Sequence, residues 1–249
     1  MTVSEQHVVV TGGASGLGLA FSRHLTGLGA RVWALDRDPK ALAAAALESK
    51  KIAFLACDVG DELQVVENVT RIERESGGIT VLVNNAAVLM DQALVSKVGG
   101  KVRTHSLSDW NETLQSNLTG TFLMTREVAA AMIRGKRRGG LIVNISSISR
   151  SGNPGQTAYS ATKGGIDAVT VTWSQELAVY GIRVVGVAPG FVETPMTSRI
   201  PPMFLEGLRA RTPVGRFGTL DEFARTLQYV IETDYLNGKV LELDGGLRF

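Results

Sequence analysis

Short runs of β-branched residues recur along this chain with helix-length stretches between them, and that alternation constrains the fold more than any other feature. His7–Thr11, Arg31–Leu35, Lys51–Ala56, Val81–Val83, Leu141–Ile145, Arg183–Val187 and Lys239–Leu243 read as strands. Leu17–Leu28, Ala41–Glu48, Glu62–Glu75, Trp110–Leu118, Phe122–Ile133 and Thr157–Val179 read as helices. Strands joined through helices pair in parallel, because a parallel connection needs a long crossover. The strand runs are apolar without alternation, as in a sheet covered on both faces. The expected fold class is therefore α/β, one doubly wound, seven-stranded parallel sheet with helices on both faces. No linker or repeat divides residues 1–249, so a single domain is expected. Residues 89–106, with Gly99-Gly100, and 193–213, with room for a short helix, read as surface loops.

Charge narrows the range of partners. The 26 Lys and Arg against 24 Asp and Glu leave a net charge of +2. Nothing in that balance calls for nucleic acid or an anionic membrane, which leaves room for a small-molecule substrate. The basic run from Arg134 to Arg138 reads as a solvated loop. No apolar stretch is long enough to span a bilayer. The one cysteine, Cys57, excludes a disulfide within the chain and sits in an apolar run as a small core residue. The polar start Met1–Gln6 is unlike a signal peptide. These features together point to the cytoplasm. No His, Cys or carboxylate cluster has metal-ligand spacing, so no metal is expected. His7 and His24 read as structural residues, and His105 as solvated.

Thr11-Gly12-Gly13-Ala14-Ser15-Gly16-Leu17-Gly18 sits between the first strand and the first helix. Glycines there permit a tight turn and let backbone N–H groups approach a pyrophosphate at a helix N-terminus. Asp36 ends the second strand, 18 residues after Gly18. A carboxylate there can accept from ribose hydroxyls and would repel a 2′-phosphate, which favours NAD over NADP. Arg37 follows directly and could hold such a phosphate. Asp58-Val59 after the third strand can either meet an adenine edge or cap the next helix. Tyr159 and Lys163 are four residues apart on a helix and share a face. A nearby ammonium stabilises a phenolate, so this pair reads as a tuned acid and base. Ser146 and Ser147 follow the fifth strand, where a hydroxyl can hold a carbonyl oxygen. Asn117 is a poor helix former in mid-helix, so a kink or a bound water is expected there.

In order and spacing, these residues resemble the short-chain dehydrogenase/reductase family over nearly the whole chain. The motifs that carry the resemblance are Thr11–Gly18, Asp58-Val59, Asn84-Asn85-Ala86-Ala87, Asn117, Ser146-Ser147, Tyr159–Lys163 and Pro189-Gly190-Phe191-Val192-Glu193-Thr194. The resemblance implies a Rossmann fold and an NAD(P)-dependent exchange of hydride with a secondary alcohol or ketone. It implies that Tyr159 moves the proton, that Lys163 lowers its pKa and binds ribose, and that the serine polarises the substrate oxygen. Asn117 would place a water that relays protons to Lys163. Gly12, Ser15, Gly16, Leu17, Gly18, Asp36, Arg37, Asp58, Val59, Asn85, Ala86, Pro189, Gly190, Val192 and Thr194 would line the cofactor, with Asn85 on the adenosine-side ribose.

This chain departs from the family pattern at Ala87, where a glycine is usual. Counting 13 residues back from Tyr159 lands on Ser146, whereas register from Asn144 along the strand lands on Ser147. Strand register is costly to shift, so Ser147 is the expected serine. Lys97–Leu107 and Leu236–Gly246 resemble the branch of NAD-dependent type 2 3-hydroxyacyl-CoA and hydroxysteroid dehydrogenases. The 3-oxoacyl-thioester reductases, which usually take NADPH, are also similar. Met196, Ile200, Met203, Phe204 and Leu205 read either as an apolar wall for an acyl chain or ring system or as a cap on the core. The resemblance further implies a homo-oligomer, a tetramer or a dimer, and Trp173 and Leu177 read as core or subunit contacts. A non-catalytic dinucleotide-binding regulator is the alternative, disfavoured because every catalytic position is filled.

Overall fold

A computed structural model describes residues 1–135, 139–193 and 202–248. Seven strands form one parallel sheet: β1 (His7–Thr11), β2 (Arg31–Asp36), β3 (Ala53–Ala56), β4 (Val81–Asn84), β7 (Gly140–Ile145), β8 (Ile182–Pro189) and β9 (Val240–Leu243). Their order is β3-β2-β1-β4-β7-β8-β9, so the sheet grows in both directions from β1 and β4. The chain reverses its direction of winding at β1, and ligands bind beyond the carboxyl ends of strands at such a point.

Successive side chains on each strand serve opposite faces. Val8 and Val10 of β1 join a core with Phe21 and Leu25 of α1 (Gly16–Gly27) and Phe223, Leu227 and Val230 of α8 (Leu220–Glu232). Val9 joins the other core, with Ile72 of α3 (Glu62–Ser76) and Met124 and Val128 of α5 (Gly120–Arg134). Cys57 is buried in that second core, and Trp173 and Leu177 pack against it. The long helix α6 (Thr157–Glu176) runs beside β7 and β8.

Three elements depart from the expectations. Residues 89–106 are not all loop: β5 (Val95–Val98) and β6 (Lys101–Thr104) form an antiparallel hairpin. Gly99 and Gly100, at φ 58° and 78°, supply the two left-handed residues of a two-residue turn whose twist matches its strands. Helix α8 was not among the expected helices. Its signal is the capping box at Thr219 and Glu222, which begins an amphipathic run. Burying Phe223, Leu227, Val230 and Ile231 contributes about 1.5–3 kcal/mol each. The expected helix at 110–118 divides into α4 (Leu107–Leu114) and a π-helical turn, Gln115–Thr119.

His105 is half-buried rather than solvated. Its Nδ1 meets Gln92 O at 3.2 Å, and its Nε2 is buried without a partner. Arg134 pairs with Glu73, while Lys136, Arg137 and Arg138 lie outside the described residues. No helix among the described residues is long and apolar enough to cross a membrane, and no three His, Cys, Asp or Glu among them gather as a metal site.

Candidate active site

Backbone crowding shapes the glycine-rich turn after β1. A Cβ on Gly18 would lie 2.1 Å from Gly12 O, and one on Gly13 would lie 2.7 Å from the Ala34 side chain. Gly12 and Gly16 have φ of 60° and 51°, a region that favours glycine. Ser15 is the N-cap of α1, extended and without a side-chain cap, and Leu17 lies in the first turn. Thr11 Oγ1 accepts from the N–H groups of Asn85 and Ala86 at 3.0 Å each. Asn85 Nδ2 donates to Thr11 O at 3.0 Å and Gly12 O at 3.2 Å. The Asn85 side-chain amide therefore braces the turn. Thr11, the other half of that brace, was legible as the residue that opens the glycine-rich run.

Asp36 faces the same turn. Its Oδ2 accepts from Ala14 N at 3.2 Å and its Oδ1 from Asp38 N at 3.1 Å, so two backbone donors orient the carboxylate. Arg37 reaches the other way, to Glu112 on α4 at 3.4 Å. Both partners are about half exposed, and such a pair contributes little. Asp58 does not cap α3: Asp61 does, accepting from Leu63 and Gln64. Asp58 Oδ1 instead accepts from Gly60 N at 2.9 Å. Val59 is buried against Gly120, where a Cβ would come within 2.6 Å of it.

A glycine-lined turn at a helix N-terminus beside an oriented carboxylate fits a dinucleotide, its pyrophosphate at the turn and its adenosine ribose at Asp36. Pro189 ends β8, and a Cβ on Gly190 would meet Asp244 Cα at 2.7 Å. Val192 is buried and bridges Gly218. Thr194, Met196, Ile200 and the Phe204 side chain lie outside the described residues. Met203 is exposed and Leu205 half-buried.

At the carboxyl end of β7 the two serines separate by their partners. Ser146 Oγ donates to Asp167 Oδ1 at 2.6 Å. Ser147 Oγ accepts from Ser149 N at 3.1 Å and hydrogen-bonds the Tyr159 phenol. Lys163, almost wholly buried, donates from Nζ to Ile145 O at 2.7 Å, and its Nζ lies 5.5 Å from the Tyr159 ring centroid. Burial pushes the Tyr159 phenol up to about 12; the Ser147 hydrogen bond pulls it down and the Asp91 carboxylate adds to the rise. Burial takes Lys163 down to about 8, opposed by Asp167. Burial of the phenol opposes the lowering expected from Lys163. Desolvation acts on both groups, and the ammonium is drawn to a carbonyl rather than to the phenol oxygen.

Asn117 is fully buried in the π-helical turn. Its Oδ1 accepts from Val88 N at 2.7 Å, and its Nδ2 donates to Val88 O at 2.9 Å. Thr162 Oγ1 lies 3.4 Å from the same Nδ2. The amide thus ties α4–α5 to the segment after β4 and to α6, and its unfavourable helical position is the kink. Beneath it, Asn84 Nδ2 donates to Thr125 and Asn144, and Asn144 Nδ2 donates to Thr170, cross-linking β4 and β7 to α5 and α6.

A family model described as short chain dehydrogenase matches residues 6–203. The 3-oxoacyl-(acyl-carrier-protein) reductase FabG of Thermotoga maritima is 39% identical over 246 residues, covering 96% of each chain. The human 3-hydroxyacyl-CoA dehydrogenase type-2 is 38% identical over 250 residues, covering 96% of this chain and 94% of that one. A crystal structure from Agrobacterium tumefaciens, provisionally assigned as a gluconate dehydrogenase, superposes with a TM-score of 0.88 at 30% identity, covering 98% of this chain and 96% of the other.

Proposed function

Since the chain belongs to the short-chain dehydrogenase family, we propose that it is an NAD-dependent oxidoreductase of 3-hydroxyacyl and 3-oxoacyl thioesters or hydroxysteroid-like molecules. Membership makes it an enzyme acting on CH–OH or keto groups; the cofactor choice and substrate class are our reading. The observation that carries it is the meeting of Ser147, Tyr159 and Lys163 at the carboxyl end of β7. The dinucleotide, when bound, supplies or takes up the hydride.

Tyr159 holds the proton that moves. With its phenol near 12 it stays protonated at neutral pH, ready to donate to a ketone oxygen. Ser147 orients that oxygen, and the buried Lys163 ammonium stabilises the phenolate left behind. Asn117 acts by holding Val88 and α6 in place. Substrate enters over Tyr159, between the hairpin β5–β6 and the segment after β8. In support, the base of the hairpin is tied to the turn before α6 through the Gln92–Gln156 bridge and the Asp91–Gln156 hydrogen bond at 3.0 Å. The reading includes a homo-oligomer, a tetramer or a dimer, which light scattering tests.

The pH dependence has a definite sign. Lys163 is charged below about 8 and loses its charge above it. Ketone reduction should therefore hold level up to about pH 8 and fall beyond it, as kcat/KM across pH 6–10 will read. A level rate through pH 10 would remove Lys163 from this role.

Initial rates with 3-hydroxybutyryl-CoA, acetoacetyl-CoA, a hydroxysteroid and simple secondary alcohols, each with NAD(H) and NADP(H), test the function. NAD preference with thioesters is the expected result. Asp36→Ser should lower kcat/KM with NAD about 10–100-fold, which corresponds to roughly 1.4–2.7 kcal/mol of lost ribose contact, and should improve use of NADP. An NADP preference in the unaltered enzyme would instead favour the second reading, an NADPH-dependent 3-oxoacyl-thioester reductase. The adjacent Arg37, in an exposed pair with Glu112, is the observation in favour of that reading.

A further inference from the structure

The group that engages Ser146 has no part in the chemistry above. Asp167 lies one turn past Lys163 on α6, so the two side chains share a face of the helix. Its Oδ1 accepts from Ser146 Oγ at 2.6 Å, and its Oδ2 receives Arg150 Nη1 at 2.5 Å. The same serine hydroxyl lies 3.4 Å from the Lys163 carbonyl, so Ser146 joins β7 to α6 at two points. Only 19% of the Arg150 side chain and 22% of the Asp167 side chain are exposed. Solvent and salt therefore screen this pair less than a surface pair.

From these contacts we infer that Asp167, clamped between Ser146 and Arg150, is a positioning residue for Ser147 and Lys163. It fixes the end of β7 against α6 and places a negative charge behind the ammonium. The inference rests on the roles proposed for Ser147 and Lys163.

Asp167 is the carboxylate that opposes the effect of burial on Lys163. Arg150 offsets part of that carboxylate's charge, so the two members of the pair act on Lys163 with opposite sign. The other titratable groups around them are Tyr159 on α6, Glu242 of β9, which closes on Arg150, and Asp91 after β4, which faces Tyr159. A purely mechanical tie would respond in the same direction to loss of either partner, because each loss loosens the same junction.

The test follows the Lys163 side chain itself, by NMR titration of protein carrying 13C-labelled lysine, with the signal assigned from Lys163→Arg. Asp167→Asn should lower the Lys163 midpoint by about one pH unit. Arg150→Gln should raise it, and Asp167→Glu should restore it. The falling limb of ketone reduction should move in the same directions, with a several-fold loss at pH 8 for Asp167→Asn. Midpoints that stay put, or that move the same way in both variants, overturn the inference. Should Asp167→Asn not fold, Arg150→Gln decides alone: an upward midpoint supports the inference and an unmoved one overturns it. If the midpoints move as expected while the activity limb does not, Asp167 does govern Lys163 and the proposed role of Lys163 in turnover fails instead.

Discussion

Tyr159→Phe is expected to cut turnover by about 10²–10⁴-fold, the range that a positioned proton donor contributes. Dinucleotide affinity should stay close to that of the unaltered enzyme. The change removes one oxygen and leaves the ring, so the half-buried site keeps its packing. The lost group is the one that the Ser147 hydroxyl meets and beside which Lys163 lies. Titration of the variant with NADH, followed by fluorescence, separates binding from turnover measured with the responsive substrate. Retained turnover would remove Tyr159 from the proposed mechanism. An unchanged cellular role in a variant without turnover would revive the non-catalytic regulator.

Gly18→Ala should weaken dinucleotide binding by about 10²-fold or more, which corresponds to roughly 2.7 kcal/mol. The new methyl would sit 2.1 Å from Gly12 O and 2.6 Å from Asn85 Nδ2. The first is backbone, and the second is a side chain already holding Thr11 and Gly12. Neither can yield without opening the turn, and overpacking of this kind costs about 1–3 kcal/mol in folding as well. Gly27→Ala, at the end of the same helix, meets nothing within 4 Å and should be neutral or slightly stabilising. Calorimetric titration of both variants checks the pair. Gly18→Ala with unaltered affinity would mean that the turn does not carry the pyrophosphate.

The parallel sheet was legible because its strands are continuous apolar runs, and only a sheet covered on both sides buries such runs. The hairpin at 95–104 escaped because nearly all its residues are exposed and it lacks an apolar rhythm. Its turn glycines were visible, but their pairing depends on backbone bonds across the hairpin. Helix α8 escaped although its capping box was present, because a local start signal does not reveal which face a core will cover. Asn85 was expected at the cofactor, but its brace on the glycine turn was not legible. Its partners Thr11 and Gly12 are more than 70 residues away in sequence.

By itself the sequence determined the alternation of strand and helix, the glycine turn at the first crossover and the one-turn spacing of Tyr159 and Lys163. These are local properties, dictated by backbone sterics and helical period. Tertiary structure decided which hydroxyl meets the phenol and which charge is perturbed. Ser146 and Ser147 are adjacent and chemically identical, yet one is taken by Asp167 and the other meets Tyr159. Tyr159 and Lys163 move away from their ordinary pKa values in opposite directions for one reason: burial penalises whichever form is charged. Burial and long-range pairing depend on the packing of distant segments, and no local reading of the chain contains them.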